Sequence, residues 1–143
     1  HCNWVRLRDR KSGAEFRVLD IHLDHKSDDA RREQMKMIVG ECAQYADGFP
    51  QIICGDFNSG IENAPVACLR DAGWQEAVHG PGEAGFTYHG FKGPDYRKKN
   101  ARRIDFIFVR GNLQPVAAEI LRDKVDGLYP SDHYFLMSDF IIQ

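Results

Sequence analysis

The sequence contains no apolar run near the roughly 20 residues that a membrane-spanning helix requires, which excludes a helical span within it. It contains no C-x-x-C pair. Its four cysteines, Cys2, Cys42, Cys54 and Cys68, are widely spaced, which excludes a zinc ribbon and a dithiol redox motif. They are expected to be reduced, mostly buried small hydrophobes. Internal repeats and low-complexity tracts are absent, as is a dominant charge: 19 Lys and Arg stand against 21 Asp and Glu, a net charge of -2. That balance argues against a globally basic nucleic-acid binder and leaves room for a local basic surface. No signal peptide is visible, and the chain opens on His1 and not Met, so its compartment and its true N-terminus stay open.

What remains is ordinary globular material. The 143 residues, 43% hydrophobic and 28% charged, suit a single domain, 1–143, with enough apolar content for its own core. Asn3–Arg8 and Glu15–Leu23 read as strands around a turn at Arg10–Gly13, an antiparallel hairpin. A helix follows, with Ser27 as N-cap, Asp28 and Asp29 at its positive end, and a buried stripe of Met35, Ile38, Val39, Cys42 and Ala46. Gly48 and Pro50 close that element. Gln51–Cys54 has the look of a strand buried on both faces. A shorter helix is expected over Asn63–Ala72. Strands are expected at Phe86–His89, Ile104–Val109, Val116–Leu121 and Tyr134–Ile142. Helices interleaved with strands and hairpins imply a mixed α/β sandwich.

Four clusters hold the chemistry: Asp20-Ile21-His22-Leu23-Asp24-His25, Gly55-Asp56-Phe57-Asn58, Arg103-Ile104-Asp105-Phe106 and Ser131-Asp132-His133. Each lies at a strand end or in the adjoining loop, where a rigid sheet aims side chains at one point. Asp56 and Asp132 are hard oxygen ligands suited to Mg²⁺ or Mn²⁺. Asn58 offers an amide to a phosphate oxygen. His133 suits a general base, with Asp105 as the carboxylate that orients it. His22 suits donation to a phosphoryl oxygen in the transition state. Singly, an Asp after a strand is commonly a turn or cap, and a His beside an apolar strand commonly has a structural role. In ordered combination they fit metal-assisted attack of water on a phosphate ester.

The series resembles the endonuclease/exonuclease/phosphatase superfamily of deoxyribonuclease I-like and exonuclease III-like hydrolases. Its T-H-L-D-H, G-D-F-N, R-I-D-Y-I and S-D-H signatures are matched in order, with a T-F-H-G-F-like segment at Thr87-Tyr88-His89-Gly90-Phe91. The resemblance runs from about Trp4 to Phe140. It implies a β-sandwich flanked by helices, a divalent metal and a phosphate-ester substrate: nucleic acid, inositol phosphate or phospholipid headgroup. By the same resemblance Asp56 positions or activates the water, Asn58 orients the phosphate, Asp132 lies near the metal, His133 is catalytic with Asp105 as its partner, and His22 contacts the scissile phosphate. Whether Asp56 or His133 takes the proton from water stays open, as do substrate identity and oligomeric state.

Two departures are visible. Asp20-Ile21 stands where the family usually has Asn-Thr. The chain also resembles only the C-terminal half of the family domain, whose first half supplies an early Asn and a metal-binding Glu. A catalytically deficient remnant that binds a partner is therefore the alternative. A third reading, a zinc hydrolase of the metallo-β-lactamase type, rests on Asp20-x-His22-x-Asp24-His25, with His79 and His89 as the spare histidines for its further ligands. Finally, Lys92 to Arg103 holds six basic residues and one acid, a stretch in which Lys98, Lys99, Arg102 and Arg103 can track a polyanion.

Overall fold

The computed structural model describes residues 1–77, 85–96 and 101–143. β1 (Cys2–Arg8) and β2 (Glu15–His22) form the expected hairpin, from Cys2 opposite Ile21 to Arg8 opposite Glu15. Its turn is set by Asp9, whose carboxylate accepts from the Ser12 N–H and hydroxyl. Gly13 then takes φ +75, a conformation that costs glycine little.

Helix α1 (Asp28–Cys42) starts where its cap predicts: the Ser27 side chain accepts the Ala30 N–H. It ends earlier than expected, at the Ala43 cap, and Ala46 lies beyond it, exposed. Its buried stripe is Arg31, Met35, Ile38 and Cys42. Arg31 is tolerated there because its guanidinium meets the Asp24 carbonyl and the Asp28 carboxylate.

Then come β3 (Gln51–Asp56), α2 (Ala64–Asp71), the two-residue β4 (Gln75–Glu76), a 3₁₀ turn at Gly93–Asp95, β5 (Asp105–Arg110), β6 (Leu113–Leu121) and β7 (Phe135–Ile142). The strand expected over Phe86–His89 is a single bridge, Tyr88 to His133. The main sheet runs β1-β2-β3-β5-β4, with β2 and β3 parallel across the α1 crossover and the other pairs antiparallel; β6 and β7 pair separately.

The two faces of the main sheet differ. Leu19, Ile21, Ile53, Phe106 and Phe108 alternate onto the face covered by α1 and α2, where they join Met35, Ile38, Phe57, Val66 and Leu69 in one core. The opposite face is covered at β5, where Ile107 and Val109 are buried and β6 and β7 pack against the strand. Burial on both faces, expected of Gln51–Cys54, is therefore found at Phe106–Val109 instead. On β3, Gln51 and Ile53 are buried while Ile52 and Cys54 are half-buried, because the β6–β7 pair stops short of them. Farther out on that face Val5 and Leu7 are exposed, and an open groove of about 720 Å³ lies between Leu7 and Phe16 on one side and Phe140 and Ile142 on the other.

All four cysteines are free, as expected, but only Cys42 is fully buried, and Cys2 is exposed because the whole of β1 is. No described helix is long and apolar enough to cross a membrane.

Candidate functional site

The register of the main sheet places His22, Asp56 and Asp105 in one row across β2, β3 and β5. Being in register, they share the face opposite the helices. Gly55 permits this row. It sits at φ +132, and a Cβ there would lie 2.0 Å from the Ile21 carbonyl oxygen, so any side chain would force β2 and β3 apart one residue before Asp56. Phe57 anchors the far side of the same turn, buried edge-on against Phe106.

His133 completes the row from the segment before β7. Its Nδ1 lies 2.9 Å from Asp105 Oδ2. A carboxylate only accepts, so Nδ1 carries the hydrogen and Nε2 is the basic nitrogen. The hydrogen bond that Nδ1–H donates to Asp105 raises the His133 pKa above the ordinary imidazole range. Burial raises the Asp56 carboxyl as well, against a backbone N–H from Asn58 that pulls it down. That N–H reaches Asp56 Oδ1 at 2.7 Å. Asn58 stands at φ +47, and its side-chain amide donates to the Leu23 carbonyl at 3.0 Å, which leaves the second amide hydrogen for a ligand. His22 Nε2 is 3.6 Å from Asp56 Oδ2 on a largely exposed ring, open to solvent and to substrate.

Ligating atoms of Asp56, Asp105 and His133 lie within 4.8 Å of one another, the one such group among the described residues. Carboxylate oxygens are the donors that hard divalent cations prefer. Asp105 Oδ2 is engaged by His133 Nδ1 and Asp56 Oδ1 by the Asn58 N–H, so Asp56 can offer its Oδ2. Asp132 lies outside the group; its backbone carbonyl accepts N–H bonds from His89 and Gly90.

Other expectations fare differently. Arg103, read as a substrate contact, has its guanidinium on the Glu76 carboxylate and over the Phe106 ring, 4.8 Å from the centroid. Its charge is thus neutralised within the fold. Lys98 and Lys99 lie outside the described residues, as does His79. Among the described residues the zinc-hydrolase constellation does not assemble. Asp24 Oδ1 accepts the Lys26 and Ser27 N–H groups and shapes the turn before α1. His89 is fully buried between Tyr129 and Tyr134, its Nδ1 accepting from the Gly93 N–H. Sequence reasoning gave Tyr88 no role, yet its ring packs edge-on against His133 at 5.1 Å. The match of Thr87–Phe91 to a family segment was the one signal for it.

A family model described as "Endonuclease/Exonuclease/phosphatase family" matches residues 3–133. A curated relative, Nocturnin of Drosophila melanogaster, is 27% identical over 95% of this chain and 27% of its own length. Among solved structures, a mannosyl-6-phosphatase of Bacteroides thetaiotaomicron superposes with a TM-score of 0.81 at 20% identity, over 98% of this chain and 56% of that one. The human Nocturnin catalytic domain, solved with a bound sulfate anion, gives 0.71 at 19% identity, over 99% and 53%. These structures share the fold. The chain thus spans about a quarter of the curated relative and little more than half of the solved chains.

Proposed function

Because this chain belongs to the endonuclease/exonuclease/phosphatase family, we propose that it carries the hydrolytic residues of a divalent-metal-dependent phosphoesterase. The observation that carries this reading is the His133–Asp105 pair at 2.9 Å, set beside Asp56 at the open end of the sheet. The pair leaves His133 Nε2 to take a proton from water while Asp105 holds the ring and stabilises the imidazolium that forms. Asp56, with an oxygen fixed by the Asn58 N–H, orients that water. His22 and the second amide hydrogen of Asn58 donate to the phosphoryl oxygens as charge develops.

Asp56 would hold the cation, Mg²⁺ or Mn²⁺ by the hardness of its oxygens; Asp132, outside the convergent group, is assigned to it by the family resemblance alone. When bound, it neutralises charge on the phosphoryl group. The substrate class is a phosphate ester. Lys98, Lys99 and Arg102 would follow a polyanionic one, whereas Arg103 serves by bracing Glu76.

The uncovered face of the sheet, taken with a chain spanning 53% to 56% of those solved structures, supports a further reading. These residues form the C-terminal half of a layered domain whose other half covers Val5, Leu7 and Ile52. The same observation favours the alternative, that the protein is a catalytically deficient remnant acting as a binding module. One experiment addresses both. The full-length protein is stripped with EDTA and assayed on a phosphodiester and a phosphomonoester with Mg²⁺, Mn²⁺ or Zn²⁺ restored. Mg²⁺ or Mn²⁺ should restore turnover, and His133→Ala should abolish it. Turnover indifferent to EDTA, or restored by Zn²⁺ alone, overturns the reading. Binding of either ester without hydrolysis under any cation supports the alternative.

A further inference from the structure

Thr87 hydrogen-bonds the backbone of one member of the dyad, Asp105, and that of Tyr134, the residue after the other. It is fully buried. Its Oγ1 accepts the Ile104 N–H at 3.1 Å and the Asp105 N–H at 3.3 Å. Its own carbonyl accepts the Tyr134 N–H at 2.9 Å. The next residue, Tyr88, bridges to His133, and the two after it donate N–H bonds to the Asp132 carbonyl at 2.8 and 3.0 Å. Ile104 in turn accepts the Phe57 N–H at 2.8 Å, so the Gly55–Asn58 turn is tied to the same point.

β5 begins at Asp105, with β3 beside it through Asp56 and β4 beside it only from Phe108 onward. The Ile104 and Asp105 N–H groups therefore have no strand partner on that flank, and a side-chain oxygen takes the place of a ladder carbonyl. The Thr87 hydroxyl oxygen meets two consecutive N–H groups while its own backbone pairs with the segment carrying His133.

We infer that Thr87 is a positioning residue: its hydroxyl pins the start of β5 and its main chain pins the His133 segment, fixing Asp105 against His133. This rests on the proposed roles of Asp105 and His133. The pin itself is a statement about backbone contacts and is tested apart from them. Misplacing a dyad by a fraction of an ångström slows turnover without weakening substrate capture, because contacts to the bound ester are left in place.

The experiment uses Thr87→Val and Thr87→Ser in the full-length protein, with amide hydrogen exchange read alongside kinetics. Val keeps the shape and loses the acceptor; Ser keeps the acceptor and loses a methyl. For Thr87→Val, exchange at Ile104 and Asp105 should quicken by about tenfold or more, since their N–H groups lose their partner. kcat should fall by about tenfold or more with KM changed less than about twofold. Thr87→Ser should match the wild type in both. Added to Asp105→Asn, Thr87→Val should cost little further turnover, because the carboxylate it positions is already gone. Unchanged exchange in Thr87→Val overturns the inference. So does Thr87→Ser behaving like Val, or a full loss on top of Asp105→Asn. Should Thr87→Val fail to fold, Thr87→Ala read at lower temperature takes its place under the same criteria. If instead His133→Ala retains full turnover, the proposed chemistry falls while the exchange result still decides the pin.

Discussion

The helix-covered face of the main sheet and its opposite face are built from the same strands and fare differently. On the covered face, Leu19, Ile53 and Phe108 follow one another in register across β2, β3 and β5, all within 1% exposure. One row away on the other face, Val18, Ile52 and Val109 are equally apolar and equally in register, yet only Val109 is fully buried. Both rows have the composition of a core. What separates them is coverage: two helices span one face, and a two-stranded β6–β7 sheet packs mainly on β5 on the other. Apolar character in a strand therefore records what the strand is suited to bury, and a neighbouring layer decides whether it does. His22, Asp56 and Asp105 lie at the end of this less covered face, which leaves them reachable.

The comparison is tested most severely at β3 and β5. Phe108→Ala should cost about 3–5 kcal/mol, the usual loss for emptying a packed aromatic site. Ile52→Ala, half-buried on the other face, should cost clearly less. Urea unfolding of the 143-residue chain reads both. Equal losses would mean that Ile52 is covered in solution by something beyond these residues.

Next in size are the effects on turnover. His133→Ala and Asp56→Asn should each lower kcat in the full-length protein by on the order of 10²-fold or more, as expected for positioned acid–base groups. Arg103→Ala should behave unlike either. Its guanidinium is committed to Glu76 and Phe106, so the loss should appear as lowered stability with KM little changed. A large rise in KM would instead restore it as a substrate contact.

A smaller effect sharpens the dyad. In the metal-free protein His133 should titrate above the ordinary 6.5, because Asp105 accepts its Nδ1 proton. Asp105→Asn removes the largest cause and should bring the titration down. The sign for stability follows from a raised pKa. The pair's charged form stabilises the fold fully below pH 6.5, and that contribution is lost as pH rises through the folded value. NMR of the imidazole protons checks it. A His133 titration unmoved by Asp105→Asn would separate the two groups.

Local features were legible in the sequence because local chemistry dictates them. Ser27 caps α1 with its own side chain, and Asp9, Ser12 and Gly13 make the first turn. The pairing of Asp105 with His133, 28 residues apart, was legible only through the order of motifs and their resemblance to a family. Three things were not legible. Arg31 takes an apolar position in the α1 stripe with its two terminal NH groups met by the Asp24 carbonyl and the Asp28 carboxylate. Arg103 turns inward because Glu76, 27 residues earlier, meets it across β4 and β5. The single bridge at Tyr88 stands where a strand was expected, and the Thr87 side chain, not a strand's main chain, meets Ile104 and Asp105. Each depends on a partner distant in sequence or on a side chain standing in for backbone, and hydrophobic periodicity carries neither.

The smallest expected effect is at Leu7, on the exposed strand β1, and it separates an open face from a covered one most directly. Leu7 is 44% exposed and borders the groove shared with Phe16, Phe140 and Ile142. In the 143-residue chain, Leu7→Ser should change stability by no more than about 0.5 kcal/mol, as for most surface substitutions. In a longer form carrying the further residues that its solved relatives possess, the same change should cost about 1.5–3 kcal/mol if those residues cover the groove, the worth of burying a leucine side chain. The 143-residue chain should also bind a hydrophobic dye that the longer form excludes, since an open apolar surface between two sheets offers the dye a site. The measurement is denaturant unfolding of the two forms, each with and without the substitution. Equal and small losses in both would leave β1 as a true edge in the longer protein. A large loss already in the 143-residue chain would mean that copies of this chain cover the groove for one another, which sedimentation of the same samples would register as association.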